Sequence, residues 1–211
     1  MNDMIDQLTR DLRPAPARNA VVTVLGAMAL ASLIPLAIVL FVFEPRSDMA
    51  SAIRLPHFWV KLGVMALIAA CAAPTLVRLS RPGGSAGPGL LLAGIAGGAL
   101  VLAGLVNLAL SPDSARVDVL MGHSWSSCLW KVGLLSAPLF IASFLGLRAM
   151  APTQPRLAGL AAGLVAGGGA AAIYSLSCAE TSLTFLSSWY LLAVILVALA
   201  GFLLGPRLLR W

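Results

Sequence analysis

The chain has 211 residues, of which 60% are hydrophobic and 10% charged, with a formal net charge of +6 and a mean hydropathy of +0.95. That balance excludes an ordinary soluble domain, in which roughly 25% of residues are charged. The positive charge has a plain source in arginines gathered beside apolar segments; nothing resembles a nucleic-acid-binding module, so no direct nucleic-acid partner is expected.

Residues 1–18, MNDMIDQLTRDLRPAPAR, form a short polar head. Within it Met4, Ile5, Leu8 and Leu12 recur at helical spacing and make one apolar stripe, while Asp3, Asp6, Arg10, Asp11 and Arg13 take the other faces. Pro14 and Pro16 stop that helix. A helix of about ten residues is marginal alone in water, so this amphipathic segment needs a surface to fold on: the membrane, the protein's own loops or a partner protein. The apolar run that follows is about 25 residues long, too long for a signal-peptide core, and reads as a retained anchor.

Six apolar runs span about 19–43, 58–78, 88–110, 128–149, 157–176 and 187–206. Each is near the roughly 20 residues that cross a hydrocarbon core of about 30 Å as a helix. Backbone groups in lipid must be satisfied within the segment, and runs such as VVTVLGAMALASLIPLAIVLFVF lack the alternation of a barrel strand. The predicted fold is all-α: a polytopic membrane protein with a six-helix transmembrane domain, residues 19–211, behind the head. Arg10, Arg13, Arg18, Arg78, Arg81, Arg148, Arg156, Arg207 and Arg210 fall on the side of the N-terminus. Only Arg46, Arg54 and Arg116 fall on the other, with Lys61 and Lys131 just inside helix starts and able to snorkel outward. This asymmetry predicts that both termini are cytoplasmic. Glu44, Asp48, Asp113, Asp118 and Glu180 lie on the opposite side.

Small residues crowd the third and fifth runs, GIAGGALVLAG and GLAAGLVAGGGAAA. The pairs Gly94/Gly98 and Gly159/Gly163 have the small-xxx-small spacing that lets helices pack closely, a plainer reading than a substrate cavity. Pro35, Pro74 and Pro138 are expected to kink their helices. The span centres carry no Asp, Glu or Arg, which counts against a small-solute or metal transporter, the principal alternative. No HExxH, P-loop or nucleophile elbow is present, so no enzymatic activity is expected.

Two polar collars stand out. MGHSWSSCLWK places Met121, His123, Ser124, Ser126, Ser127 and Cys128 at the start of the fourth run, and YSLSCAE places Cys178 and Glu180 after the fifth. Cys71, among Ala and Leu in the second run, reads as a packing residue. In an oxidising compartment Cys128 and Cys178 can form a permanent disulfide or a reversible thiol–disulfide switch. With His123, and with Met121 beside it, they are alternatively candidate ligands for a soft transition-metal ion. A thiol oxidoreductase is less well matched, because the two cysteines are isolated rather than paired as CxxC.

The head IDQLTRDLRP, the span entry PHFWVKL, the collars GHSWSSC and YSLSCAETS, the following SSWY and the terminal LGPRLLRW together resemble the NrsF family. Members of that family are six-span bacterial inner-membrane anti-sigma factors acting on extracytoplasmic-function sigma factors. The resemblance implies that the cytoplasmic head, at Met4, Ile5, Leu8 and Leu12, holds the sigma factor. It also implies that the outward cysteines, Cys128 and Cys178, are needed for a response to heavy-metal or oxidative stress, with His123, Met121 and Glu180 as candidate support. Expected partners are the sigma factor and membrane lipids.

Overall fold

The computed structural model describes Asn19 and residues 21–210. The head, and with it Met4, Ile5, Leu8 and Leu12, lies outside the described residues. Six helices are long and apolar enough to cross a membrane: α1 (Val22–Phe41), α2 (Pro56–Leu79), α3 (Gly89–Leu110), α4 (Trp125–Arg148), α5 (Pro155–Tyr174) and α6 (Leu183–Leu208). Among the described residues there is no strand. Large apolar side chains such as Leu30, Phe41, Leu91, Leu102 and Leu145 point outward, as they must where the surrounding medium is lipid.

The bundle is built around α5, the most buried of the six. Successive residues of a helix point about 100° apart, so the run Gly167-Gly168-Gly169 aims three glycines at three neighbours. A Cβ at Gly167 would meet Val194 of α6, one at Gly168 would meet Met65 and Ala69 of α2, and one at Gly169 would touch Leu139 of α4. Below them, Gly159 and Gly163 bring α5 against α6 backbone to backbone: Gly159 abuts Gly201, Gly163 abuts Val197 and Ala198, and Pro155 abuts Gly205. Helix association in lipid depends on such close packing, because tails are as apolar as the side chains they replace. Peripheral to this core, α1 crosses α4 where Gly146 meets Val24, and α3 leans on α2 where Gly89 meets Cys71 and Thr75.

Gly159/Gly163 therefore forms the expected seam. Gly94/Gly98 does not: nothing lies near either glycine, and α3 packs instead through Gly89, Ala93, Gly97, Leu100 and Gly104, one residue out of register. Of the prolines, Pro35 acts most visibly, since α1 is interrupted at Ser32, next to the Ala31 carbonyl that the Pro35 ring crowds. The sixth span begins earlier than its apolar run, at Leu183, because Ser182 caps it and Ser187 and Ser188 donate back to the Thr184 carbonyl. The Ser187 and Ser188 hydroxyls are thereby satisfied inside the helix.

Even-numbered loops and the C-terminus share one end, where Gly83 N–H donates to Thr153 Oγ1 at 3.2 Å. This arginine end carries Arg78, Arg81, Arg148, Arg156, Arg207 and Arg210, and no acidic side chain among the described residues. Both collars lie at the other end.

Forcing a side chain into the α5–α6 seam should be costly in a way that the same change on α3 is not. Gly201→Leu is expected to lower stability in detergent thermal denaturation by about 1–3 kcal/mol or more. Gly94→Leu should stay within about 0.5 kcal/mol of the parent.

Candidate functional site

At the collar end the chain leaves α5 at Tyr174, turns through Ser175–Ser177, and runs irregularly from Cys178 to Ser182 before α6. Cys178 thus lies four residues past its helix, in the connecting loop, after the fifth run as its collar position implied. This loop is tied down on every side. Leu176 accepts from the Arg46 N–H, Ser177 Oγ donates to the Phe43 and Glu44 carbonyls, and Ser182 Oγ donates to the Val119 carbonyl. From α6, Trp189 Nε1 donates to the Leu120 carbonyl, and Thr184 Oγ1 donates to Gly104 and Asn107 of α3.

The central tie is Lys61. Its position was expected to snorkel, but the side chain is 5% exposed and points inward. The Nζ donates to the carbonyls of Cys178 at 3.0 Å and Glu180 at 3.1 Å, and lies 4.6 Å from the centre of the Tyr190 ring. The geometry explains the correction: α2 starts at Pro56, so Lys61 sits more than one turn inside the helix and on the face turned to α5 and α6. Carbonyls in an irregular loop have no helical partner, and a buried ammonium is stable only when such acceptors surround it.

Cys128, in the first turn of α4, is fully buried, and Cys178 is 4% exposed; both are free thiols. Both belong to the same buried core cluster. Tyr190 sits in a widened, π-helical turn of α6, stacks on Tyr174 at 5.8 Å, and keeps its hydroxyl buried without a hydrogen-bond partner. It lies beside Cys178. Among the described residues Tyr190 holds the only such unpartnered side-chain atom, and it borders the thiols.

Glu180 joins the collars. Its carboxylate accepts from the His123 N–H at 2.7 Å and from Ser124 Oγ at 3.3 Å. The turn before it needs Gly122, whose φ of +56° and ψ of −168° suit glycine, and where a Cβ would meet Phe185 at 2.8 Å and Glu180 at 2.9 Å. The His123 imidazole is 98% exposed, with Nδ1 3.9 Å from the Glu180 carboxylate. Met121, half-buried, ends the short helix Arg116–Met121. Thus Glu180 is brought to both collars, whereas the His123 ring stands in solvent while the thiols are enclosed. Among the described residues no three of His, Cys, Asp and Glu are grouped as a metal site.

Arg46, buried beside the loop, donates through Nε and Nη2 to the two Asp48 carboxylate oxygens at 2.6 Å each. That pairing holds the Asp48 carboxyl below its usual range. Its contribution is complete above the unfolded value of about 3.9 and is lost as pH falls through the lower native one. Residue patterns alone did not reveal Lys61, Tyr174 or Tyr190 as neighbours of the thiols. The one available signal was that PHFWVKL and SSWY stood out as motifs.

Fold and site together define a six-span α-helical membrane protein with two buried, unbonded cysteines at one end, one in the first turn of α4 and one in the loop after α5. The family model described as "Negative regulator of sigma F", NrsF, matches residues 8–211, and the chain belongs to that family. It is 40% identical over 216 residues to the protein named "Anti-sigma-F factor NrsF" of Caulobacter vibrioides, covering 100% of this chain and 99% of that one. It is 36% identical over 203 residues to the "Probable anti-sigma-F factor NrsF" of Azospira oryzae, covering 94% and 91% of the two. No solved structure matches the chain.

Removing the Lys61 tie leaves two buried carbonyls without a donor, at a cost of about 1–3 kcal/mol. Lys61→Met should therefore speed amide hydrogen exchange across residues 176–182, and unchanged exchange would show that the tether holds nothing. In a carboxyl ¹³C titration, Asp48 should titrate below an ordinary aspartate, and Arg46→Gln should return it to about 3.9.

Proposed function

We propose that the chain is an anti-sigma factor of the bacterial inner membrane, with both termini in the cytoplasm and Cys128 and Cys178 at the periplasmic end. Its head, residues 1–18, docks the apolar stripe Met4, Ile5, Leu8 and Leu12 in a groove of an extracytoplasmic-function sigma factor, and the flanking charges set the orientation. Likeness over the whole chain to proteins named anti-sigma-F factors supports the regulatory role. The arginines collected at one end, with the described acids at the other, support the orientation.

The observation that carries the sensing half is the two free, buried cysteines on collars joined by Glu180, with Lys61 tying the second collar to α2. Oxidation to a disulfide forms one S–S bond and passes two electrons and two protons to a small oxidant; enclosure of the thiols excludes large ones. The bond requires Cα atoms within about 7 Å and fixes one dihedral, so it dictates where the Cys178 loop sits relative to α4. Because that loop is the direct connection from α5 to α6, its shift bears on the tightest seam in the bundle. A soft metal ion held by both sulfurs would impose a comparable constraint, with Met121, His123 and Glu180 at its margin. Either event needs to favour one of two packings by a few kcal/mol to release the head from its partner.

The reading is tested by co-purifying the full chain with the sigma factor encoded beside it. Binding by the parent chain that is abolished in Leu8→Asp plus Leu12→Asp is the expected result. Binding that survives both aspartates would move the contact to the loops. Failure of the reduced parent chain to bind would overturn the anti-sigma role.

A further inference from the structure

At the arginine end, where the first turn of α5 meets the last turns of α6, lies a groove of about 360 Å³ lined by Arg156, Phe202, Leu203, Pro206, Arg207 and Arg210. That volume is within the range of ligand pockets, about 300–1,000 Å³. On α6, residues 203, 206 and 207 are spaced i, i+3, i+4 and so share one face, and Arg210 follows two residues past the helix end. The contact between Gly205 and Pro155 brings Arg156 to the same place from α5. Arg156 also stands over the Phe202 ring at 5.9 Å.

Three guanidinium groups converging on one groove need an anion. None is paired with an acidic side chain among the described residues. The positive end of the α5 dipole adds to the deficit, because its first turn holds no acidic residue and Gln154 caps it with no side-chain hydrogen bond. The walls are equally informative. Phe202 and Leu203 lie more than one turn before Arg207 along α6, and Leu203 is 55% exposed, so the groove runs from charge at the helix end into apolar surface along the span. A charged mouth continuous with an apolar, outward-facing wall matches a ligand with a phosphate at one end and hydrocarbon at the other.

We propose that this groove is a binding site for an anionic phospholipid, its headgroup phosphodiester held by Arg156, Arg207 and Arg210 and one acyl chain lying along Leu203 and Phe202. Guanidinium groups suit phosphate oxygens through paired N–H donors. Basic pockets between helices are a recurring headgroup site. The site stands apart from the thiols and does not depend on the anti-sigma reading.

Native mass spectrometry of the full detergent-solubilised chain tests this, with phosphatidylglycerol, phosphatidylcholine or inorganic phosphate added as separate probes. Expected is retention of phosphatidylglycerol at least tenfold tighter than phosphatidylcholine, reduced tenfold or more by Arg156→Gln/Arg207→Gln/Arg210→Gln and partly by Arg210→Gln alone. Arg78→Gln/Arg81→Gln, at the end of α2 and in the turn after it, should leave retention unchanged. All three triple-variant positions are exposed, and a circular dichroism melt matching the parent would show that the fold is kept. Equal retention of both lipids, or equal loss in the Arg78/Arg81 variant, would reduce the groove to general surface charge and overturn the proposal. Phosphate competing at the same concentration as the lipid would overturn the lipid assignment. So would a triple variant that keeps its lipid but no longer co-purifies with the sigma factor, because the groove would then be a protein contact.

Discussion

The rest of the structure depends on how closely α5 approaches α6. Gly159, Gly163, Gly201 and Gly205 remove every side chain from the line where these helices cross, so that backbone touches backbone. In lipid nothing else would hold them, since burying a leucine there exchanges one hydrocarbon neighbour for another. The same glycine-rich helix then serves α2 and α4 through Gly168 and Gly169. A hub of this kind has little slack, because well-packed interfaces respond to strain by switching arrangement rather than by stretching.

Consequently the loop between α5 and α6 is the place where a local event can reach the whole bundle. Cys178 sits in it, Lys61 of α2 grips it through two carbonyls, and Glu180 extends from it to the turn before α4. Four of the six spans therefore meet within a few residues of the thiol pair. The buried Tyr190 ring, stacked on Tyr174 and carried on the widened turn of α6, closes the site beside Cys178.

Much of this was legible in the sequence, and what was not failed for physical reasons. Span number and class follow from run length and charge, which a bilayer constrains more tightly than water does. Gly159/Gly163 was legible as a seam because its spacing matches helix contact; Gly94/Gly98 has the same spacing yet faces outward, because spacing does not say which face of a helix meets a neighbour. Both cysteine collars could be seen, as could their common end. Lys61 could not, since a lysine near a helix start commonly snorkels, and only the three-dimensional position of the Cys178 loop shows that acceptors await it inside. Likewise Tyr190 looks like an interface aromatic until the turn that carries it is seen to face the thiols.

The central claim is that the state of two sulfurs at one end governs a protein contact at the other. It is tested most directly by measuring the affinity of the full chain, in lipid nanodiscs, for its sigma factor with Cys128 and Cys178 reduced and again with the two joined as a disulfide. The account predicts at least a tenfold weaker complex in the oxidised state, equivalent to about 1.4 kcal/mol of coupling. Equal affinities in the two states, with the disulfide verified by peptide mapping, would contradict it.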